Sequence, residues 1–318
     1  MGLSAASVNA VVQRFLIDSD TASDDAVALM MALRNPMVRV EAITVVAGNV
    51  PLDQAVQNAL YTVDLCGAEV PVHAGASQPL VQALTTAQDV HGEDGMGDIG
   101  LAVSGRQAAS DGAIDVIIET FLSSPGEVTL VTIGPLTNVA SALKRAPALS
   151  AAVAHCYIMG GTGVGTGNVT PLAEYNFWAD PEAAALVLAS DMPKTIVGWD
   201  IPVATGSFNE AEAGRLRSLG TEYAEIAVDI QGTLNTYATT TSQLSGFDLS
   251  DPMAMAVAMD PAIAESEHVF VEVLTGDGPA RGVQSTDWRR LTPNEPNAWV
   301  VTAVPRQAFL DAVYRGLS

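Results

Sequence analysis

"RFLIDSDTASDDAVALMMAL", residues 14–33, decides how the chain is read. The apolar run Phe15-Leu16-Ile17 leads into four aspartates within eight positions, Asp18, Asp20, Asp24 and Asp25, and a second apolar stretch follows at once. A short apolar run followed by a longer one marks a buried strand feeding a buried helix. Carboxylates crowded at such a junction repel one another and resist desolvation. A positive partner is therefore expected among them, and a metal ion is the leading candidate.

The same rhythm recurs along the chain. "VRVEAITVVAGN" precedes "PLDQAVQNALYTVDLCG", "VTLVTIGP" precedes "LTNVASALKRAP", and "HCYIMGG", "DPEAAALVLAS" and "KTIVGWDIP" continue it. Strands alternating with helical patterns predict an α/β fold, a mostly parallel central sheet with helices on both faces. Residues 205–245 carry few strand signals and are expected to form a helical insert beside the sheet. The tail, with Gly-rich turns between strand-like runs, suggests an antiparallel addition. No repeat, low-complexity tract or long linker divides the sequence, so one domain spanning 1–318 is expected.

Composition narrows the partners. Asp plus Glu number 36 against 14 Lys plus Arg, a net charge of −22, and such a field repels phosphate, arguing against a nucleic-acid or anionic-membrane surface. No run of roughly 20 apolar residues is present, and residues 1–18 lack a basic segment followed by a cleavable apolar one, so a cytoplasmic location is the expectation. Cys66 and Cys156 fall at a helix end and in a strand, and read as reduced, buried small apolar residues with no chemistry.

In open parallel sheets ligands bind beyond the carboxyl ends of the strands. The polar residues there are Asp18, Asp20, Asp24 and Asp25 after the first strand, Asn49 after the second, and Asn168, Glu174 and Asn176 after "YIMGG". Asp251 opens another apolar helical pattern. Carboxylate and amide oxygens dominate, which selects a hard cation such as Ca²⁺ or Mg²⁺ over zinc or copper. Taken singly, each has an ordinary explanation: Asp24 and Asp251 as helix N-caps, Asp25 as a dipole partner, Asn49 as a turn residue. Capping needs one carboxylate, however, and Asp18 and Asp20 are then left over.

Two short motifs compete for this stretch. An EF-hand loop from Asp18 would want Gly at position 23 and Glu at position 29, where Ser23 and Leu29 stand. Asp18, Asp20 and Thr21 also resemble the nucleophile loop of haloacid-dehalogenase-type phosphatases, but the acidic pair at the start of the following helix is no part of that motif.

"DSDTASDDAVALMMAL", "AITVVAGN", "HGEDGMGD", "TIGPLTNVA", "NVTPLAEYNFWADPEAA" and "SDPMAMA" together resemble the inosine–uridine nucleoside hydrolase family, in matching order from near residue 14 to near 310. The resemblance implies a Rossmann-like nucleoside hydrolase fold and a calcium-dependent enzyme that cleaves the N-glycosidic bond of ribonucleosides with water. It implies that Asp20, Asp25 and Asp251, with the carbonyl of Ile133, ligate Ca²⁺, and that Asp20 takes a proton from the calcium-bound water. Asp24, Asn49, Asn168, Glu174 and Asn176 would hold the ribose hydroxyls, Met159 would lie against the sugar, and Asp18 would support the loop from behind. A homodimer or homotetramer acting in nucleoside catabolism and salvage is implied likewise.

Two positions depart from the family's pattern. Ala22 stands where glycine is usual. Ser250 stands where many purine-active members have a histidine that protonates the leaving base, and serine donates a proton far less readily. His91 is the nearest replacement in sequence terms. Tyr237, Trp178 and Trp288 are candidates to stack on a base, although such side chains more often pack in cores. The glycine run at 160–167 lacks the Lys-Ser/Thr ending of a phosphate loop and reads as the rim of a pocket. Two rivals stay open beside the hydrolase: a ribose or nucleoside binder that has lost turnover, and an aspartyl-phosphate phosphatase.

Overall fold

A computed structural model describes residues 12–102 and 104–318. Residues 1–11, which carry most of the segment read for a leader, lie outside the described residues. Twelve strands are described: β1 (Gln13–Ser19), β2 (Val38–Val45), β3 (Val72–Ala74), β4 (Val128–Thr132), β5 (His155–Met159), β6 (Lys194–Val197), β7 (Ser207–Phe208), β8 (Phe247–Asp248), β9 (Glu265–Val269), β10 (Val271–Val273), β11 (Gln284–Thr286) and β12 (Ala298–Ala303).

Eight of them form one sheet in the order β3-β2-β1-β4-β5-β6-β12-β9, parallel throughout except for the pair β12 and β9. The expected antiparallel addition is this last strand together with the separate β10–β11 pair. The outer strand β9 exposes Glu265, Glu267 and His268, charged and polar groups that discourage edge-to-edge pairing.

Side chains alternate across the sheet and build a core on each face. Phe15 and Ile17 of β1 enter one core, and Leu16 the other. In β5 Tyr157 and Met159 share the first core, while Cys156 and Ile158 share the second. Both faces being covered, these strands read as continuous apolar runs with no polar alternation. The helical insert is three short helices, Glu210–Arg217, Glu222–Asp229 and Gly232–Thr240. Cys156 is buried and Cys66 only partly so, and both are free.

The chain runs from β1 outward through β2 and β3, then returns to lay β4 on the other side of β1. Loops from neighbouring strands diverge at such a reversal and open a crevice beyond the carboxyl ends. The acidic cluster leaves β1 at this point, beside the loop that follows β4.

Candidate active site

The helix after β1 spans Ser23–Leu33 with Ala22 at its N-cap, so Asp24 and Asp25 sit in the first turn, and Asp25 reaches back to the N-cap N–H without occupying the cap. The helix Ser250–Met259 likewise starts behind Leu249 and holds Asp251 in its first turn. The amino ends of two helices thus present three carboxylates to one place. Oxygens of Asp24, Asp25 and Asp251 lie within 4.8 Å of one another, and all three residues are buried.

Asp20 sits beside them in the loop between strand and helix. Its Oδ2 accepts the Asn49 N–H at 2.7 Å, while its Oδ1 is buried without a hydrogen-bond partner among the described residues. Glycines make the room. A Cβ on Gly48 would stand 2.1 Å from Asp20 Oδ2, and one on Gly134 would stand 2.7 Å from Oδ1. Asp25 is held by the Ser19 hydroxyl at 2.7 Å and the Ala22 N–H at 2.9 Å.

Asp18 points away from this group. Its Oδ1 accepts the Thr44 hydroxyl at 2.6 Å and the Asn138 amide at 2.9 Å. Asn138 also donates to the carbonyl of Val45 and accepts the Ala76 N–H, which ties β1 to the loops after β2 and β3. Asp18 therefore braces the loop from behind.

Electrostatics sets what this cluster can hold. Burial, followed by the charge of neighbouring carboxylates, pushes Asp24 up to about 7 and Asp25 to about 6, and raises Asp20 and Asp251 well above the ordinary range. Crowded anions out of water keep protons unless a cation compensates them. An orphaned Asp20 oxygen beside three convergent carboxylates is a donor set that fits a hard cation, offering oxygen alone.

A cavity of about 260 Å³ opens over the cluster. Asp24, Asp251, Asn49, Ile133, Met159, Asn168, Glu174, Asn176 and His91 line it, so the residues read from the sequence gather from six separate loops and helix starts. Asp20 and Asp25 lie behind that wall. Glu174 caps the helix Tyr175–Ala179, its oxygens accepting the N–H groups of Gly161, Asn176 and Phe177, and burial still pushes it up to about 7. The Asn176 amide faces the Ile133 carbonyl at 3.4 Å and Met159 Sδ at 3.2 Å. Asn168 accepts the Tyr175 N–H with its Oδ1 at 2.9 Å.

His91 Nδ1 lies 2.9 Å from the Ser23 hydroxyl and 3.9 Å from Asp24, and burial lowers its pKa despite the acidic neighbours. Among the stacking candidates Trp178 and Tyr237 line the cavity. Trp288 instead packs on the second core and donates to the Gly163 carbonyl at 3.1 Å. The glycine run lies between the lining residues Met159 and Asn168 without lining the cavity itself, and its Gly163 and Val164 N–H groups are tied to Asp200.

Several lining residues carry no clear signal in the sequence. Thr85, Thr86, Trp199 and Leu234 belong to this group, as does Asp248. Asp248 ends β8, and the strand-end rule that marks Asp18 and Asp20 would mark it too. Two residues are too short a strand to be seen as one.

Residues 15–311 match the family model described as "Inosine-uridine preferring nucleoside hydrolase". The pyrimidine-specific ribonucleoside hydrolase RihB of Escherichia coli O17:K52:H18 (strain UMN026 / ExPEC) is 35% identical over 271 residues, covering 85% of this chain and 86% of that protein. Among solved structures, the purine-preferring ribonucleoside hydrolase from Gardnerella vaginalis superposes with a TM-score of 0.88 at 32% identity, covering 96% of this chain and 98% of that one. A plant nucleoside hydrolase, the PpNRh1 enzyme, gives 0.90 at 29% identity, with coverage of 96% and 99%. The chain belongs to the inosine–uridine preferring nucleoside hydrolase family and is a nucleoside N-ribosyl hydrolase.

Proposed function

We propose that the chain hydrolyses ribonucleosides to ribose and free base at the crevice between β1 and β4, with Ca²⁺ seated by Asp20, Asp25, Asp251 and the Ile133 carbonyl. The observation that carries this reading is the convergence of buried carboxylates, one with an orphaned oxygen, beneath a cavity lined by amides and acids. When bound, the cation compensates the clustered charge, acidifies water beside the sugar and grips vicinal hydroxyls.

The chain's own residues supply the rest. Asp20, whose Oδ1 has no hydrogen-bond partner among the described residues, accepts the proton of the attacking water. Asp24, Asn49, Asn168, Glu174 and Asn176 hold the ribose hydroxyls, and Met159 lies under the ring. Departure of the base leaves positive charge on the sugar, which the anionic floor stabilises as it develops. Ribose is preferred over 2-deoxyribose, because a missing hydroxyl leaves buried polar partners unpaired. His91 faces the base. His91 Nδ1 pairs with the Ser23 hydroxyl, which leaves Nε2 to meet the base.

The named relatives divide between pyrimidine-specific and purine-preferring enzymes. The test is release of base from uridine and inosine before and after exhaustive chelation, alongside a phosphomonoester panel. The reading expects turnover that is lost with calcium and restored by it, and inert phosphomonoesters. Turnover indifferent to chelation would refute the metal's role. Tight ribose binding with no base released would favour a binder in place of an enzyme.

A further inference from the structure

Ser250 occupies the position where a proton donor for the leaving base is expected, yet its hydroxyl does not face the cavity alone. It donates to Asp248 Oδ2 at 2.7 Å, and the Trp199 indole N–H donates to the same oxygen at 3.1 Å. Asp248, Ser250 and Trp199 all line the cavity, on the wall completed by Leu234, Tyr237 and Leu244. Trp199, Leu234, Tyr237 and Leu244 give this wall apolar and aromatic surface suited to a flat base.

Both donors take one oxygen of the carboxyl group, and among the described residues no donor of another residue takes Oδ1. When Asp248 carries a proton, that proton belongs on Oδ1, because Oδ2 is committed as a double acceptor. We propose that Asp248 is the general acid of this chain, donating its Oδ1 proton to the departing base in place of the missing histidine. The inference rests on the hydrolase reading above and deepens it.

Supporting physics comes from the surroundings. Asp248 is buried, which raises its pKa against the opposing bonds from Ser250 and Trp199. Asp24 faces it with like charge, and His91 is the titratable base across the same space. Burial lowers the His91 pKa against the pull of its acidic neighbours.

The step balances without any further reactant. The water oxygen bonds to C1′ and gives its proton to Asp20. The C1′–N bond breaks with its electron pair on the base, and the Asp248 proton goes to the base. The two carboxyl groups then re-equilibrate through solvent, leaving ribose and neutral base.

An activated leaving group separates this role from a structural one, because p-nitrophenolate leaves without being protonated. Calcium-saturated wild type, Asp248→Asn, Asp248→Glu and His91→Gln are assayed on uridine, inosine and p-nitrophenyl β-D-ribofuranoside. Asp248→Asn is expected to lose about 10²- to 10⁴-fold in kcat on nucleosides. Its kcat on the nitrophenyl riboside should stay near that of wild type, which also certifies the fold. Asp248→Glu should recover part of the nucleoside rate. Equal losses on both substrate types, an unimpaired Asp248→Asn, or a selective nucleoside loss in His91→Gln alone would each overturn the proposal. A wild type that released nothing from any of the three would instead sink the hydrolase reading itself.

Discussion

Two residues carry tests that separate placement from mere presence. Gly134 borders Asp20 so closely that an added Cβ would lie 2.7 Å from Oδ1 and 2.9 Å from the Asp20 nitrogen. Gly134→Ala must displace the carboxylate, and displacement of about 1 Å costs on the order of 100-fold in turnover. Overpacking should cost about 1–3 kcal/mol of stability. Steady-state kinetics with saturating calcium, set beside urea unfolding, measures both. Glu174 gives a pH signature. Its folded pKa of about 7 exceeds the ordinary value of 4.5, so the stability it contributes is full below that value and lost as pH rises through 7. The melting temperature of wild type should fall over pH 5–8, and the fall should be smaller in Glu174→Gln.

At the scale of elements, Asp180 joins three segments that share no sequence neighbourhood. It caps the helix Pro181–Ala189 through the Ala183 N–H at 3.0 Å, and accepts the Leu80 N–H at 2.8 Å and the Thr137 hydroxyl at 2.7 Å. Asp180→Ala is expected to lower the unfolding free energy by about 2–4 kcal/mol, from the lost cap and the stranded buried donors. Chemical denaturation measures that loss, and kcat should change proportionately less. The parallel strands and their helices are legible in the sequence because burial on both faces leaves unbroken apolar runs such as Phe15-Leu16-Ile17. The three-helix insert is legible from its want of strand signals. What escapes is short or set by distant contacts: β8, at two residues, conceals Asp248, and the caps shift to Ala22 and Leu249 because Asp24 and Asp251 turn inward.

For the whole molecule, the strand order explains why an acidic cluster near residue 20 meets a helix start near residue 251. The reversal between β1 and β4 opens the crevice, and the helix Ser250–Met259 packs along the helix Ser23–Leu33 so that their amino ends converge. Helix amino ends favour negative charge, yet they do not offset three or four carboxylates out of water. The fold therefore calls for a cation, and a ligand bound only by the folded state stabilises it by mass action, about 2.7 kcal/mol at a hundred times its Kd. Calorimetric titration of calcium into the chelator-stripped protein tests this most directly. The account predicts saturable binding of one ion per chain, abolished in Asp25→Ala and Asp251→Ala. Absence of saturable calcium binding, or binding untouched by either substitution, would contradict it.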